Sequence, residues 1–541
     1  MKSNGSMNRV YRLVWSDVLC AWVAVSEMSR GRGKGASRKL IAAAMLPNVV
    51  YAHAGPEGGA VTAGVGSISK SGATTTINQT SQNLSLGWNS FNVGAKEAVN
   101  FVQPSASAIA VNRIADTNAS QILGQINANG QVYLINPNGI VFGQGAQVNV
   151  GGLVASTLDL SDASLNSTTR SFSGSGNGSI SNKGNITAAN GGYVALIGNQ
   201  VSNDGIITAQ LGTVAMGAGS AATLTFAGTS LVKMQVDQSV LNSLVANGGL
   251  VQADGGMVIM NAGAKNSLLA SVVNNTGVGR AQTVGEHKGN IVLLAGMAAG
   301  TTNAAGTIDA SAPKGGDGGF IETSAATVNI ADGTKVTTLA SGGVSGMWLV
   351  DPTDYNISAS GGNMTGSTLS TSLNNGNVSI QSASGNSGTA GNVNVNDAVT
   401  WSANRLTLVA SNNINVNANL NGSGTAKLTL QTGTGQGTAA ANATANASSS
   451  ASTPQVGVVN INTNASINLP AGLNYTSVMG SDALTKNYTV ITALGATGST
   501  SGTDLQGMNG NLTGNFALGA NIDARETLHK YASCVLDVSP S

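Results

Sequence analysis

The sequence predicts an all-β protein built as a right-handed parallel β-helix. Three observations predict this fold: short runs of Val, Ile, Leu and Thr are separated by Gly, Asn and Asp, related phrases recur at intervals of about 20 residues, and charged residues make up only 9% of the chain. No long stretch has helical periodicity. Because 41% of the 541 residues are hydrophobic, the chain has enough apolar side chains to form a core.

The clearest repeat is "ISNKGNITAANGGYVALIGNQ" followed by "VSNDGIITAQLGTVAMGAG", in which Gly184 and Gly205 hold equivalent places 21 residues apart. The corners of a β-helix need a backbone with positive φ, which Gly and Asn adopt most easily. Inward side chains stack on those of the next coil, so Val, Ile, Leu and Ala are favoured there and charges are disfavoured. The repeat therefore predicts coils of about 20 residues, each with two or three short strands.

The segment "RKLIAAAMLPNVVYAHA", residues 38–54, has the layout of an export signal. It has a basic start, an apolar stretch and an Ala-x-Ala end at Ala52 and Ala54, which predicts cleavage between Ala54 and Gly55. The apolar stretch is too short to span a membrane and contains a proline. The alternative, an amphipathic N-terminal helix kept in the folded protein, is disfavoured because the basic cluster leads directly into the cleavage site.

Charge and cysteine content exclude several classes of protein. Residues 1–40 carry a net charge of +6, which leaves −5 for the remainder of a chain whose total is +1. A mildly acidic body with scattered lysines gives no electrostatic signature of nucleic-acid binding. The two cysteines, Cys20 and Cys534, lie near opposite termini. Removal of the leader would leave one of them, so packing and hydrogen bonds rather than a disulfide must hold the fold.

Residues that could carry chemistry are sparse, and we predict that the protein is not an enzyme and holds no catalytic site, cofactor or metal. The neighbours Glu286 and His287 are best interpreted as a solvated loop pair. "GGDGGF", residues 315–320, lacks the repeat of calcium-binding nonapeptides and predicts a turn. Three tryptophans could stack on sugars, but isolated aromatics in a solenoid more often pack in corners: Trp88, Trp348 and Trp401.

The uncharged stretch "LINPNGIVFGQGAQVNVGGLVAST", residues 134–157, combines β-type runs with a turn signal. Its Asn136-Pro137-Asn138-Gly139 segment predicts a tight corner, with the φ angle of proline already suited to the turn. The apolar positions on either side, beginning with Ile140, are predicted to face the core.

The leader and this stretch together resemble the two-partner-secretion exoproteins of the filamentous haemagglutinin class. Met7–Tyr11 and Trp22–Glu27 are similar to the extended signal-peptide region of such proteins, which makes Met7 an alternative start. The continuous similarity runs over residues 60–160 and includes "NQTSQNLSLGWNSFNVG" and "SQILGQINANGQVYLINPNGI". Shorter segments, "GMWLVDPTDYNI" and "NFALGANIDA", extend the resemblance to about residue 524.

The resemblance implies an N-terminal secretion domain that a dedicated outer-membrane transporter recognises through its POTRA domains and exports through its barrel. It implies that the Sec machinery delivers the chain to the periplasm first. Five residues match the family's Asn-Pro-Asn-Gly-Ile motif and are expected to serve recognition by the transporter: Asn136, Pro137, Asn138, Gly139 and Ile140.

The resemblance and the composition predict six segments. These are an extended signal peptide (1–54), a two-partner-secretion β-helix domain with short extra-helical β elements (55–310), further β-helix repeats (311–431), a low-complexity loop or linker (432–455), more β repeats (456–524) and an atypical tail (525–541). The tail loses the Gly/Asn rhythm and gains charge, which indicates a truncated or frame-shifted end.

The predicted function is that of a secreted or surface-exposed adhesin, or its N-terminal fragment, reached by way of the periplasm. Its other expected partner is a host-cell or bacterial surface receptor, with carbohydrate among the candidate ligands. Two alternatives stay open: the N-terminal stalk of a contact-dependent growth-inhibition toxin, and a haem-acquisition or haemolytic exoprotein.

Overall fold

The computed structural model describes residues 11–16, 21–26, 55–264, 267–383, 390–434, 457–479 and 484–525. The chain divides into two compact units, Met1–Ala52 and His53–Ser541. In the first unit, strands β1 (Tyr11–Ser16) and β2 (Ala21–Ser26) pair antiparallel. The described part of the leader is therefore strand rather than the amphipathic helix of the alternative interpretation.

The second unit begins with the strands that form the N-terminal half of the predicted β-helix. In chain order they are β3 (Ala60–Ala63), β4 (Gly66–Ser71), β5 (Thr74–Gln79), β6 (Asn83–Trp88), β7 (Ala98–Val102), β8 (Ile109–Ile114), β9 (Ser120–Ile122), β10 (Gln125–Ala128), β11 (Gln131–Ile135), β12 (Ile140–Phe142), β13 (Gln147–Ser156), β14 (Thr169–Ser173), β15 (Ser179–Asn182), β16 (Asn185–Gly198), β17 (Gln200–Asn203), β18 (Ile206–Thr208), β19 (Thr213–Ala218), β20 (Ala221–Ala227), β21 (Ser230–Gln238), β22 (Ser243–Asn247), β23 (Leu250–Gln252) and β24 (Met257–Asn261).

In the described residues the same architecture continues towards the C-terminus with shorter strands and one α-helix. These elements are β25 (Ser271–Asn275), β26 (Val278–Arg280), β27 (Asn290–Leu294), β28 (Thr301–Ala304), β29 (Thr307–Asp309), β30 (Phe320–Ser324), β31 (Thr327–Ile330), β32 (Lys335–Thr337), β33 (Met347–Asp351), β34 (Tyr355–Ile357), α1 (Gly366–Leu373), β35 (Asn377–Gln381), β36 (Val393–Val395), β37 (Val399–Trp401), β38 (Arg405–Val409), β39 (Ile414–Val416), β40 (Leu420–Gly422), β41 (Lys427–Gln431), β42 (Val459–Ile461), β43 (Ile467–Asn468), β44 (Gly472–Val478), β45 (Thr485–Ile491) and β46 (Asn515–Leu518). Two short 3-10 helices span Asp162–Asn166 and Gln506–Gly510.

Parallel pairing between successive coils confirms the predicted β-helix. One ladder runs from β6 through β8, β11, β13, β16, β19, β24, β27, β30, β33, β35, β38 and β41 to β44, always parallel, with a register shift in the β13–β16 pair between Val150 and Gly152. We call each level of this ladder a rung. A second ladder on another face runs from β9 through β12, β15, β17, β22, β25 and β28 to β31. An antiparallel pair adjoins each end of this ladder, β3 with β6 at one end and β44 with β45 at the other, and β46 then pairs parallel with β45.

A continuous column of apolar side chains fills the interior along the first ladder. Its members pair in register from one rung to the next: Leu84, Ala110, Val132, Leu153, Val194, Val214, Val258, Ile291, Ile321, Trp348, Val378, Leu406, Leu428 and Tyr475. All but Tyr475 are buried. Full burial of one such aliphatic side chain contributes about 1.5–3 kcal/mol, so the column is a major source of stability.

The spacing along this column corrects the predicted coil length. Val194 and Val214 are 20 residues apart, and Gly205 lies directly on Gly184 as the repeat predicts. Other steps are much longer, up to the 47 residues between Leu428 and Tyr475. A uniform coil of about 20 residues is wrong for most of the chain, because insertions at the corners lengthen the coils without disturbing the stacked strands.

Asparagine side chains form hydrogen-bonded ladders at the corners. Along the second ladder the amide Nδ2 of Asn182 donates to Oδ1 of Asn203 at 2.7 Å, Asn203 donates to Asn247 at 2.8 Å, and Asn247 donates to Asn275 at 2.8 Å. All four side chains are buried. Each amide thus meets a partner on the neighbouring rung, which explains how a core position tolerates a polar group.

An antiparallel sheet lies outside the β-helix, as predicted for the secretion domain. Its strands have the order β14, β20, β21. Its apolar face packs on outward side chains of the covered rungs, by which we mean the levels of the first ladder from β8 to β24. The shared cluster includes Val111, Tyr133, Val154, Tyr193, Ile197, Phe172, Leu224, Phe226, Met234 and Ile259.

Candidate functional site

The predicted Asn-Pro-Asn-Gly-Ile segment forms the corner between β11 and β12. The backbone N–H of Gly139 donates to the carbonyl of Asn136 at 2.9 Å, and the N–H of Asn138 donates to Asn136 Oδ1 at 2.9 Å. Both bonds tighten the turn, and the ring of Pro137 fixes its φ angle. Pro137 and Asn138 are exposed at the tip, whereas the other three residues are buried.

Asn136 forms hydrogen bonds with both the preceding and the following coil and so joins three levels of the β-helix. Its Nδ2 donates to the carbonyl of Asn118 at 3.1 Å and to Ser120 Oγ at 3.0 Å, both on the preceding coil. Its backbone N–H donates to the carbonyl of Ser156 on the following coil at 2.9 Å. Because Asn136 is fully buried, removal of its side chain would leave the Asn118 carbonyl and the Ser120 hydroxyl without an equivalent bond.

Gly139 occupies a position that a side chain cannot fill without displacing backbone. Its φ is +108°, and a Cβ atom would lie 2.7 Å from the carbonyl oxygen of Ser179 on the following coil. Its own carbonyl accepts from the N–H of Ser120 at 3.0 Å. Ile140 follows with no exposed surface and pairs in register with Ser120 and Ile180. The corner is therefore both a turn and a junction between coils.

A shallow polar groove lies beside this corner on the preceding coils. It is lined by Asn92, Val93, Gly94, Asp116, Asn118, Ala119, Gln121 and Leu123. Asn138 Nδ2 donates to the carbonyl of Asp116 at 2.7 Å, so the exposed tip is tied to the edge of the groove. The tip and the groove together offer amide groups and one carboxylate to a partner.

A second cluster, between the extra-helical sheet and the β-helix, has no signal in the sequence. The hydroxyls of Tyr133 and Tyr193 lie 2.9 Å apart, and Tyr193 donates to Gln131 Oε1 at 2.7 Å. Arg170 of β14 donates to the Tyr133 hydroxyl and lies 4.1 Å from the centre of the Phe226 ring. Burial raises the pKa of both tyrosines, so they remain neutral donors. The cluster fixes the sheet to the helix.

The structure places the other residues singled out in the sequence as follows. Ala52 and Ala54 lie outside the described residues, as do nearly all of the predicted linker at 432–455 and the tail after Arg525. Gly55 is described and buried. Among the described residues, no group of three or more His, Cys, Asp or Glu could hold a metal ion. No helix in the described ranges is long and apolar enough to cross a membrane.

The tryptophans belong to the core, which resolves their two interpretations in favour of packing. Trp88, Trp348 and Trp401 each expose 3% of their surface or less.

Asp317 of the glycine-rich turn pairs with Lys288 Nζ at 2.9 Å and accepts from the N–H of Val344. His287 and Glu286 are exposed in a turn, as expected for a loop pair.

Comparisons with known proteins agree with this geometry. Residues 52–310 match the TPS secretion domain, and residues 7–54 match the Extended Signal Peptide of Type V secretion system. The chain is 36% identical over 210 residues to a heme/hemopexin-binding protein of Haemophilus influenzae, which covers 36% of this chain and 22% of that protein. A second heme/hemopexin-binding protein of that species is 50% identical over 97 residues, covering 18% and 10%.

A solved structure shows the same fold. The HMW1 secretion domain from Haemophilus influenzae superposes with a TM-score of 0.52 at 24% identity, over 70% of this chain and 95% of that one. The chain spans less than a quarter of the length of the two heme/hemopexin-binding relatives.

An extended signal peptide followed by a TPS secretion domain defines a secreted exoprotein, and the parallel β-helix with its extra-helical sheet is the fold of that domain. The chain belongs to the two-partner-secretion exoproteins, which are exported across the outer membrane to the cell surface or the extracellular space. A TPS secretion domain implies an outer-membrane transporter as its partner.

Proposed function

We propose that the Asn136–Ile140 corner is the part of the secretion domain that the POTRA domains of the transporter recognise, after Sec-dependent delivery to the periplasm. The proposal is supported by a difference within the motif between residues that are buried and residues that are exposed. Asn136, Gly139 and Ile140 are buried and join three coils, whereas Pro137 and Asn138 project at the tip beside a polar groove. The buried residues hold the coils together, so the exposed tip and the adjacent groove are the parts of this corner that a partner can contact.

The first experiment replaces Asn136, Pro137, Asn138 and Gly139 together with alanine. We expect secretion through the cognate transporter to be abolished while the amount of protein inside the cell is unchanged, because both tip and junction are lost. The measurement is an immunoblot of culture medium and cell fractions. Normal amounts in the medium would contradict the proposal.

A matched pair of variants separates recognition from folding. Pro137→Ala with Asn138→Ala alters only exposed groups, and we expect secretion to fall about tenfold with little change in the free energy of unfolding. Asn203→Ala removes a buried ladder amide elsewhere in the domain and should cost about 1–3 kcal/mol of stability. If the tip variant were secreted normally, or if its loss of secretion were matched by a loss of stability like that of Asn203→Ala, the corner would act in folding and not in recognition.

For the whole protein we propose attachment to host cells or to other bacteria, without enzymatic activity. Support comes from the class of protein and from a 31% identity over 126 residues to a trimeric autotransporter adhesin of Acinetobacter, a match that covers 21% of this chain and 3% of that protein. Beads coated with the secreted protein should bind epithelial or bacterial cells above albumin-coated controls. Equal binding of both kinds of bead would contradict adhesion.

A second candidate is haem or hemopexin binding, which is favoured by the 36% identity to a heme/hemopexin-binding protein. Titration of the secreted protein with haemin should then produce a saturable change in the haem absorption band. An unchanged spectrum, together with no capture of hemopexin, would exclude this candidate.

A further inference from the structure

Asp351 is the last residue of β33 and precedes Pro352, in the only Asp-Pro sequence of the chain. Its side-chain oxygen Oδ1 is buried and has no hydrogen-bond partner. A buried oxygen of this kind is unusual, because nothing compensates its loss of hydration. The roles proposed above in export and adhesion do not involve this carboxyl group, which therefore keeps an oxygen that no hydrogen bond holds.

The backbone carbonyl of Asp351, which belongs to the bond with Pro352, is polarised by the neighbouring coil. The N–H of Ala325 donates to this carbonyl oxygen at 3.2 Å. Beyond the bond, the carbonyl of Pro352 accepts from the N–H of Ala383 at 3.0 Å, so the chain is fixed on both sides. A fixed N–H donor stabilises the negative charge that develops on a carbonyl oxygen when a nucleophile adds to its carbon.

The surroundings of Asp351 favour its un-ionised form. Burial, followed by the charge of Glu322 on β30, raises the pKa of Asp351 to about 6. Glu322 is the only ionisable residue on the two strands that pair with β33, and Ala325 and Ala383, which bond to this segment, carry no charge. The carboxyl group is therefore still largely protonated in a mildly acidic medium.

We propose that the chain cleaves its own Asp351–Pro352 bond in mildly acidic surroundings. An oxygen of the Asp351 carboxyl attacks the backbone carbonyl carbon of the same residue, and a cyclic anhydride forms. The bond from that carbon to the Pro352 nitrogen breaks, and the nitrogen takes up the proton of the carboxyl group as it leaves. Water then opens the anhydride, so that Asp351 becomes a C-terminus and Pro352 an N-terminus.

The position of this bond determines what cleavage would separate. The bond follows the residues that match the TPS secretion domain, and it lies between the ladder that ends at β31 and the sheet that begins at β34. In the described ranges, β33 with β35 is the only strand pair that joins the two sides. Cleavage would thus leave the secretion domain and the downstream repeats as two polypeptides, held together by one strand pair and the stacked core.

Cleavage of this kind happens once in each chain and turns over no substrate, so it is compatible with the absence of enzymatic activity proposed above. It is also independent of the role assigned to the Asn136–Ile140 corner.

For the experiment, the purified secreted chain is incubated at about pH 5.5 and its mass is measured after denaturation. We expect two fragments whose masses place the cut between residues 351 and 352, and no fragments from Asp351→Asn. Asp351→Glu requires a larger ring and should cleave at least about tenfold more slowly. Asp354→Asn removes a nearby carboxylate that does not precede a proline, and its rate should stay within about twofold of the wild type.

A comparison with the unfolded chain separates this site from the ordinary acid lability of Asp-Pro bonds. In urea the pKa of Asp351 returns to about 3.9, so the un-ionised fraction at about pH 5.5, and with it the rate, should fall about thirtyfold. Circular dichroism establishes that each variant is folded, and Asp351→Glu keeps a carboxyl group should Asp351→Asn fail to fold. An intact wild-type chain, an equal rate in urea, or cleavage of both Asp351 variants at the wild-type rate would overturn the proposal.

Discussion

The covered rungs and the last rungs of the same ladder differ on the outside but not on the inside. The inward column is apolar in both regions, from Val132 and Val194 to Leu406 and Leu428. The outward positions are Tyr133, Tyr193 and Ile259 in the covered rungs, but Ser379, Thr407 and Thr429 in rungs β35, β38 and β41, which we call the bare rungs. Inward stacking is therefore sufficient to propagate the helix, and the outward residues decide whether a second layer forms on it.

Among the substitutions that test this comparison, Phe226→Ala in the extra-helical sheet has the largest expected effect. Phe226 is buried, its ring centre lies 5.2 Å from that of Tyr193, and the Arg170 guanidinium covers its face. We expect a loss of about 3–5 kcal/mol in the free energy of unfolding of this region. Native-state hydrogen exchange should show β14, β20 and β21 losing protection while β38 and β41 keep it.

The control is Thr407→Ala on the bare rungs, which should change stability by no more than about 0.5 kcal/mol. A uniform loss of protection along the whole helix in Phe226→Ala would show that the two regions unfold as one cooperative unit, against the expectation for a solenoid.

The next test concerns corners. Gly139→Ala places a Cβ against the Ser179 carbonyl at a φ of +108°, and we expect a cost of about 3 kcal/mol in urea unfolding. Gly333 has a φ of +76° but open space around it, so Gly333→Ala should cost only about 1 kcal/mol. Equal costs at both sites would mean that the contact between coils adds nothing to the corner at Gly139.

The substitution with the smallest expected effect is at Asp351, at the end of β33 between the covered rungs and the bare rungs. Burial, followed by the nearby charge of Glu322, raises the pKa of Asp351 to about 6. Because the folded pKa exceeds the unfolded value, ionised Asp351 destabilises the fold above pH 6, and the penalty disappears as the pH falls from 6 towards 4. Asp351→Asn should therefore gain about 1 kcal/mol at pH 7, after allowance for solvent screening, and nothing at pH 4. A gain that is the same at both pH values would assign the effect to something other than this charge.

Much of the architecture was predictable because it depends on local patterns. The spacing of Gly184 and Gly205 predicts stacked coils, and the short runs of β-branched residues between Gly and Asn predict their strands. The turn at Asn136–Gly139 was predictable for the same reason, since its proline, glycine and asparagine each have a local backbone preference.

The remainder depends on contacts between distant residues. Gln131, Arg170, Tyr193 and Phe226 meet only after the coils stack, so no spacing in the sequence indicates their cluster. The coil length was wrong because corner insertions do not alter the inward pattern that defines a coil. The signal for burial of Trp348 was present in the alternation of "MWLVD", where every second residue faces the core.

The hydrogen bonds of Asn136 have a consequence for the order of events during synthesis and export. Every partner of its side chain precedes it in the chain or follows within two residues: Asn118, Ser120 and Asn138. The bond from Gly178 to the carbonyl of Pro137, by contrast, needs a segment about 40 residues further on. In a chain that emerges N-terminus first, the Asn136 side chain can therefore form its hydrogen bonds before the segment around Gly178 has emerged. The corner is bonded to the preceding coil first and to the following coil later, so the growing structure has a defined boundary between finished and unfinished coils.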